Sequence, residues 1–297
     1  MANKTLVNTL SLTCRSLLTR PCSNVTNIKL NARRFSTSSA SLTQKLANRV
    51  AIVTASTEGI GLAMAKRLAI DGAKVVISSR REENVKKALE SCHAEGLKDV
   101  RGIVCHVGKE DDRQNLIDFT LKEFGKINCL VSNAAVNPYF GEFVEMSESQ
   151  FDKIFEVNVK AAFMLTKSVV PHMKKNGEAG GSIVYISSIG AYAGLPFIGA
   201  YCVSKTALLG MTRNMSVELG RYNIRVNCVA PGIIKTEFSR LLWENESQND
   251  SMIEHTSLKR IGRADEIGGM VSLLCSDDGS YITGENIAIS GGIFTSL

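Results

Sequence analysis

The sequence predicts an α/β fold in which helices cover both faces of a seven-stranded parallel sheet. Seven short apolar runs alternate with segments of helical periodicity from residue 49 onward, and such alternation is typical of parallel sheets with helical crossovers. The runs are apolar along their whole length, as expected for strands buried on both faces. No linker rich in Pro, Gly or Ser divides this part of the chain, so we predict a single domain over residues 46–297.

The predicted elements follow one another in regular order. Short runs that are mostly apolar predict strands, and longer segments with apolar residues three or four apart predict helices. The strands are Val50–Thr54, Lys74–Ser79, Val100–Val107, Ile127–Ser132, Ser182–Ser188, Ile224–Val229 and Asn286–Ser290. The helices lie near residues 60–71, 82–95, 110–124, 149–175, 201–220 and 263–276. Residues 238–260 interrupt this order with a polar stretch, Glu244–Asp250, and are predicted to form a mobile lid.

Composition excludes several classes of protein. The eight cysteines and four histidines show no CxxC pair and no ligand spacing, which argues against a metal site and a disulfide framework. Runs such as Ile127–Val131 instead indicate buried free thiols. A GxSxG hydrolase motif is absent. No apolar run reaches about 18 residues, so no membrane span is predicted.

The N-terminal segment differs from the rest of the chain. Residues 1–35 carry six basic residues and no acidic one, which leaves 29 basic and 29 acidic residues beyond them and no indication of a nucleic-acid partner. Residues 1–45 have the composition of a mitochondrial transit peptide, with predicted cleavage after Phe35. The alternative is a tail without an address. We predict a mitochondrial matrix location, with peroxisome or cytoplasm as alternatives, because the ending Thr295-Ser296-Leu297 lacks the basic residue of a peroxisomal signal.

A glycine-containing turn follows the first strand and opens the first helix. It reads Thr54-Ala-Ser-Thr-Glu-Gly-Ile-Gly61. Glycine lets the backbone approach a phosphate closely, and the helix N-terminus supplies N–H donors. This position at the start of a βαβ unit predicts a dinucleotide site in a Rossmann-like fold, although a tight packing turn is the alternative.

The second strand indicates which dinucleotide would bind. NAD-binding units usually carry Asp or Glu at the end of this strand for the ribose hydroxyls. Here the strand ends with Ser79, and Arg80 and Arg81 follow. Guanidinium groups can pair with a 2′-phosphate, so the sequence favours NADPH; a solvated arginine pair is the alternative.

Tyr201 and Lys205 are four residues apart and therefore share one face of a helix. Ser188 precedes Tyr201 by thirteen residues, at the end of a predicted strand. A phenol holds its proton up to pH ~10, and an adjacent ammonium is expected to lower that pKa. Such a pair can move a proton on or off a carbonyl or hydroxyl oxygen. The spacing alone also occurs by chance in many helices.

In combination, these motifs resemble the short-chain dehydrogenase/reductase family over essentially all of residues 46–297. Further matches are Ser132-Asn133-Ala-Ala135, Asn158 and the segment from Pro231-Gly232 to Thr236. Within that family, the segments around Ile77–Val85 and Arg225–Thr236 resemble a group of NADPH-dependent carbonyl and retinal reductases. The sequence departs from the wider family at Ala55, where the first glycine is usual, and at His106, where an Asp is common.

The resemblance implies the roles of individual residues. Tyr201 would be the proton donor, Ser188 would hold the substrate oxygen, Lys205 would bind the cofactor ribose and lower the pKa of Tyr201, and Asn158 would join a proton relay. The implied cofactor-binding residues are Thr54, Ser56, Thr57, Gly59, Ile60, Gly61, Ser79, Arg80, Arg81, His106, Val107, Asn133, Ala134, Tyr201, Lys205, Pro231, Gly232, Ile234 and Thr236. For His106, a core position is the alternative to an adenine contact.

The implied function is NADPH-dependent reduction of ketones and aldehydes, with Ser188, Tyr192 and Phe197 as substrate contacts. Tyr139, Phe140, Phe238 and Trp243 are further aromatics that either line an apolar pocket or pack in the protein. The alternatives are a 3-oxoacyl thioester reductase and a non-catalytic NADPH-binding protein. Related enzymes form homotetramers or homodimers, and the resemblance implies the same here.

Overall fold

The structure is a computed structural model that describes residues 44–243 and 253–293, all within one compact unit. The predicted leader up to residue 43, its cleavage after Phe35, the polar stretch Glu244–Asp250 and the ending Thr295-Ser296-Leu297 lie outside the described residues. Leu46 is fully buried, and its N–H donates to the carbonyl of Asp71 at 2.8 Å. The chain therefore already packs against the rest of the domain at Leu46. The domain boundary predicted at residue 46 stays a prediction.

Seven parallel strands form one sheet in the order β3-β2-β1-β4-β5-β6-β7. The strands are β1 Val50–Val53, β2 Lys74–Ser79, β3 Val100–Val104, β4 Cys129–Ser132, β5 Gly181–Ile186, β6 Ile224–Pro231 and β7 Asn286–Ile289. The strand order reverses between β1 and β4, which is where open α/β sheets of this type bind their ligands. The predicted doubly wound, seven-stranded parallel fold is confirmed.

The longer connections between the strands, and the chain after them, contain α-helices. They are α1 Gly59–Ile70, α2 Glu82–Ala94, α3 Glu110–Phe124, α4 Glu148–Phe155, α5 Ala161–Lys174, α6 Gly199–Leu219, α7 Arg240–Trp243 and α8 Asp265–Cys275. The single helix predicted over 149–175 is divided into α4 and α5 by a π-helical turn, Glu156–Lys160. Such turns are rare and frequently lie at functional sites, and this one carries Asn158.

Two hydrophobic layers hold the helices on the sheet. One face of the sheet packs against α3, α5 and α6, with Leu116, Leu165 and Leu208 in that layer. The other face packs against α1, α2 and α8, with Leu68 and Val271 in that layer. Burial of this apolar surface fixes the carboxyl ends of the strands, and the loops that follow them carry the candidate site.

Candidate active site

The turn between β1 and α1 is shaped to receive a phosphate. Ala55 and Gly59 both adopt left-handed backbone conformations, with φ of 48° and 55°. Ala55 therefore has a backbone conformation that usually favours glycine. Helix α1 begins at Gly59 with no acidic residue in its first turn and no side-chain cap. Its first N–H groups and the positive end of its dipole are thus free to face an anion.

Thr54 and Asn133 brace this turn from within. The Thr54 hydroxyl oxygen accepts from the N–H groups of Asn133 at 3.0 Å and Ala134 at 3.1 Å. The Asn133 amide donates in return to the carbonyls of Thr54 at 3.1 Å and Ala55 at 2.9 Å. These side chains join the loop after β4 to the loop after β1, so they shape the candidate dinucleotide site.

Ser56 has a similar bracing position. Its side chain is fully buried, and its hydroxyl donates to the carbonyl of Val53 at 2.6 Å and accepts from the N–H of Ser78 at 3.1 Å. Within the turn, Thr57 and Ile60 are half-buried beside these braces. Contacts from this turn to a ligand would therefore come mainly from backbone N–H groups and from Thr57.

Gly61 permits the close contact between α1 and the turn. A Cβ atom at this position would lie 2.3 Å from the carbonyl oxygen of Ala55 and 2.7 Å from Nδ2 of Asn133. We expect Gly61→Ala to lower the free energy of unfolding by about 1–3 kcal/mol, the usual range for overpacking. Urea unfolding would measure this change. The matched control is Gly210→Ala in α6, where a Cβ atom would meet nothing within 4 Å. This substitution should stabilise the helix by about 0.5–1 kcal/mol. Equal stability of the Gly61→Ala and wild-type proteins would contradict the close packing.

Arg80 and Arg81 follow the carboxyl end of β2, next to the half-buried Ser79. Both arginines are exposed. Among the described residues, neither guanidinium has a hydrogen-bond or ion-pair partner, whereas most other described arginines do. The two groups are therefore available to an anionic ligand at the ribose end of the site.

His106 and Val107 lie after β3. His106 is half-buried, its Nδ1 accepts from the N–H of Gly108 at 3.1 Å, and its own N–H donates to Asp112 at 2.8 Å. Val107 is buried, and its carbonyl accepts from Arg113 at 2.7 Å. One ring nitrogen of His106 is thus held by a hydrogen bond, but His106 is not a core residue. Part of its ring is therefore exposed at the edge of the site.

Ser188, Tyr201 and Lys205 come together where β5 ends and α6 begins. Lys205 Nζ lies 5.5 Å from the centroid of the Tyr201 ring and donates to the carbonyl of Ile186 at 2.8 Å. The Ser188 hydroxyl accepts from the N–H of Gly190 at 3.1 Å, which fixes its direction. A strand end and the first turns of one helix therefore hold all three groups.

Burial dominates the electrostatics of this cluster. It raises the pKa of Tyr201 well above its usual value, while the neighbouring Ser188 hydroxyl lowers it as a hydrogen-bonding partner. The net shift in the protein without a cofactor is therefore upward, opposite to the lowered pKa that the sequence predicts. Burial also lowers the pKa of Lys205 from 10.5 to about 8, and the Cys228 thiol opposes that shift. The raised pKa keeps the phenol protonated at neutral pH, as a proton donor requires.

Lys205 also fits a nicotinamide cofactor. Its side chain is 2 % exposed, yet among the described residues the ammonium has one hydrogen-bond acceptor, Ile186. An ammonium carries three donors, so two remain for a polar ligand such as a ribose. A buried donor without a partner is costly, and a ribose hydroxyl would remove that cost.

Asn158 connects the π-helical turn to α6, which carries Tyr201 and Lys205. Its amide accepts from the N–H of Val136 at 2.8 Å and donates to the carbonyl of Val136 at 3.1 Å and to the Ser204 hydroxyl at 3.0 Å. Ser204 in turn donates to the carbonyl of Tyr201 at 2.7 Å. The side chain of Asn158 thus positions the loop after β4 and α6. Sequence reasoning missed Ser204, for which the only signal is its place between Tyr201 and Lys205.

The loop after β6 borders the same site. A Cβ atom at Gly232 would lie 2.7 Å from Cα of Ser290, and the next strand, β7, therefore packs directly on this loop. Pro231 and Ile234 are buried. The methyl group of Thr236 lies near Gly59, since a Cβ built on that glycine would be 3.3 Å from it. The loop thus faces the glycine turn, as a cofactor lying across both would require.

The aromatic residues near the site have different surroundings. Phe238 is 61 % exposed and lies 6.1 Å from the Tyr201 ring, so it borders the entrance to the phenol. Phe197 is also exposed and pairs with Phe140 at 5.4 Å. The Tyr192 hydroxyl donates to the carbonyl of Asn286 at 3.1 Å, and its ring packs against the hydrophobic layer under α6. Phe238 is therefore the better placed of these aromatics for a substrate contact.

Two negative findings hold for the described part of the chain. No helix there combines the length and apolarity needed to cross a membrane. No group of three or more His, Cys, Asp or Glu side chains there could hold a metal ion.

Comparisons with known proteins agree with this geometry. A family model described as enoyl-(acyl carrier protein) reductase matches residues 54–294. The dehydrogenase/reductase SDR family member 4 of Oryctolagus cuniculus is 54% identical over 247 residues, which cover 83% of this chain and 94% of that protein. The Homo sapiens protein of the same name is 51% identical over 262 residues, which cover 88% and 93%. A solved structure assigned as a short-chain alcohol dehydrogenase from Sinorhizobium meliloti has a TM-score of 0.79 and 31% identity, covering 85% of this chain and 98% of that one.

Proposed function

The chain belongs to the short-chain dehydrogenase/reductase family of oxidoreductases, which use a nicotinamide cofactor on small molecules, and we propose that it reduces free ketones and aldehydes with NADPH. The observation that carries this proposal is the cluster of Ser188, Tyr201 and Lys205 at the end of β5. A protonated phenol, a directed hydroxyl and a buried ammonium with free donors are the groups that carbonyl reduction needs.

Each side chain has a role that follows from its environment. Tyr201 donates its proton to the oxygen that gains negative charge as the carbonyl is reduced. Ser188 donates a hydrogen bond to the same oxygen and fixes its position. Lys205 binds the cofactor ribose, and its charge stabilises the phenolate that remains after the proton has left. When bound, the nicotinamide supplies the hydride.

The preference for NADPH is supported by Arg80 and Arg81. Both guanidiniums are exposed and lack partners among the described residues, and no acidic residue follows β2 before Glu82. A carboxylate there would hold ribose hydroxyls but repel a 2′-phosphate. The exposed mouth lined by Phe238 supports an apolar free carbonyl compound as substrate.

The function is tested by following NADPH oxidation with the full chain. The substrates are an α-dicarbonyl, an aromatic ketone, retinal and an acetoacetyl thioester, each with NADPH and with NADH. We expect turnover of the free carbonyls with NADPH. Turnover of the thioester alone would instead assign the protein to acyl-chain reduction, and NADPH binding without turnover of any compound would make it a non-catalytic binding protein.

An Arg80→Ala variant tests whether Arg80 determines the preference for NADPH over NADH. Loss of hydrogen bonds to a charged group costs about 1.5–3 kcal/mol, so Arg80→Ala should raise the KM for NADPH roughly 10- to 100-fold. The KM for NADH should change little, because NADH has no 2′-phosphate. The matched control is Lys87→Ala, which removes an exposed cation from α2. A similar loss with both cofactors would show that Arg80 does not read the 2′-phosphate.

A further inference from the structure

A network of hydrogen bonds shapes residues 234–243, the Thr236 turn, which follows β6 and ends with α7. Ser239 lies at its centre: its hydroxyl donates to the carbonyl of Ile234 at 2.5 Å and accepts from the N–H of Thr236 at 3.3 Å. The indole N–H of Trp243 donates to the carbonyl of Thr236 at 3.1 Å and to the Ser239 hydroxyl at 3.2 Å. These contacts fold the turn back on itself around Thr236.

The network sets the direction of the Thr236 hydroxyl. A serine hydroxyl carries one proton, and the shortest contact of the Ser239 hydroxyl is the one to the carbonyl of Ile234, so that proton points to Ile234. The Thr236 hydroxyl, 3.1 Å from Ser239 Oγ, is therefore the donor in its pair with Ser239. Because its lone pairs stay available, the Thr236 hydroxyl can accept a hydrogen bond from an N–H group of a ligand.

The Thr236 turn borders both parts of the candidate site. The Thr236 methyl group is close to Gly59 in the glycine turn, since a Cβ atom built on that glycine would be 3.3 Å from it. Phe238, in the same turn, has its ring centroid 6.1 Å from that of Tyr201. The shape of the turn therefore decides where one side chain lies beside the dinucleotide site and where another lies beside the phenol.

Trp243 closes the turn and is the only tryptophan in the sequence. Its side chain is half-buried, and Lys235 Nζ lies 5.1 Å from the centroid of its ring. Helix α7 has four residues, and so short a helix gains little stability from its own hydrogen bonds. The contacts from the indole back to Thr236 and Ser239 therefore hold the end of the turn in place.

We propose, on the basis of the proposed function, that Ser239 and Trp243 are positioning residues for the nicotinamide cofactor. They hold the Thr236 hydroxyl as an acceptor for the N–H groups of the nicotinamide amide. Neither residue needs to touch the cofactor, because each acts through its hydrogen bonds to Thr236. The hydroxyl is directed before a ligand arrives, so binding requires no reorientation of this group.

Calorimetric titration of the full chain with three ligands tests this inference. NADP⁺ carries the amide, its acetylpyridine analogue has a methyl ketone in place of the amide and therefore no N–H to donate, and adenosine 2′,5′-bisphosphate lacks the nicotinamide ring. We expect Ser239→Ala to raise the Kd for NADP⁺ roughly 3- to 10-fold, the effect of one hydrogen bond. The Kd values for the other two ligands should stay the same, which would also show that the variant is folded.

Two further variants and a control separate positioning from packing. Trp243→Phe keeps an aromatic ring and removes the indole N–H, so it should weaken NADP⁺ binding with the same ligand selectivity. Thr236→Val removes the hydroxyl itself, and Ser239→Ala should then have no further effect, because both changes remove the same hydrogen bond. The matched control is Ser168→Ala in α5, whose hydroxyl also donates to a backbone carbonyl, that of Met164 at 3.0 Å. It should leave all three affinities unchanged.

The outcomes distinguish this inference from the proposed function, because the titrations contain no substrate. Equal losses of affinity for all three ligands would show that Ser239 only supports the fold, and an unchanged Kd for NADP⁺ would show that it has no positioning role. Either result would overturn the inference alone, as would an additive loss when Ser239→Ala and Thr236→Val are combined. A wild-type protein that binds none of the three ligands would overturn the proposed function as well.

Discussion

Tyr201→Phe is expected to lower kcat for carbonyl reduction by roughly 10²–10⁴, the usual contribution of a positioned general acid. The change removes one oxygen and keeps the ring, which lies beside Phe238 and Lys205. NADPH binding should therefore persist, because the ribose contact proposed for Lys205 is kept. Steady-state turnover and a fluorescence titration with NADPH measure the two quantities separately.

The control for this variant is Tyr222→Phe, which removes a phenolic oxygen at the far end of α6, after Leu219. It should leave kcat within about twofold, because Tyr222 is a half-buried residue outside the candidate site and the change removes only its hydroxyl group. If Tyr201→Phe reduced carbonyls as fast as the wild-type protein, another proton donor would have to exist. If it lost NADPH binding as well, its effect would be on cofactor binding and not on proton transfer.

The fold could be predicted from the sequence because its signals are local and repeated. Each strand is an apolar run followed by a helix-forming segment, and all seven strands were found in order. The ends were less accurate: the strand predicted to reach Val107 ends at Val104, and the one predicted from Ile127 begins at Cys129. Residues flanking a strand can be just as apolar, and hydrogen bonding to the neighbouring strand decides where the ladder stops.

The π-helical turn at Glu156–Lys160 was not predictable from periodicity. Its residues continue the helical pattern, and the turn forms where the Asn158 amide bonds to Val136 and Ser204. Those contacts join three separate segments of the chain. A tertiary requirement of this kind leaves no trace in the spacing of apolar residues.

The residues of the candidate site could be predicted from the sequence, but their burial and their pKa shifts could not. Spacing and motif order predict that Ser188, Tyr201 and Lys205 belong to one site, and the structure places these three residues close together. The direction of the shift in the Tyr201 pKa was wrong, because the sequence shows the neighbouring cation but not how deeply both groups are buried. The bracing roles of Thr54 and Ser56 likewise depend on burial that residue type alone does not reveal.

Lys205→Met should stabilise the protein at pH 7 while it removes the proposed catalytic ammonium. The pKa of Lys205 is lowered from 10.5 to about 8 by burial, and each unit corresponds to about 1.4 kcal/mol, so holding the charge costs about 3 kcal/mol below pH 8. Loss of the hydrogen bond to Ile186 offsets about 1 kcal/mol of this gain. We expect a net increase of about 2 kcal/mol in the free energy of unfolding, measured in urea without cofactor.

The pH dependence distinguishes charge burial from simple packing. Because the folded pKa lies below the unfolded one, the unfolded chain binds more protons between pH 8 and 10.5, and stability from this residue rises with pH across that window. The advantage of Lys205→Met should therefore be full at pH 7 and largely gone near pH 10. Lys153→Met, at a half-buried lysine paired with Glu156 at 2.9 Å, should change stability by less than about 1 kcal/mol at either pH. A Lys205→Met protein that is less stable than wild type at pH 7 would mean that the buried ammonium does not carry this cost. The proposal that its free donors bind a ribose hydroxyl would then lose its energetic basis.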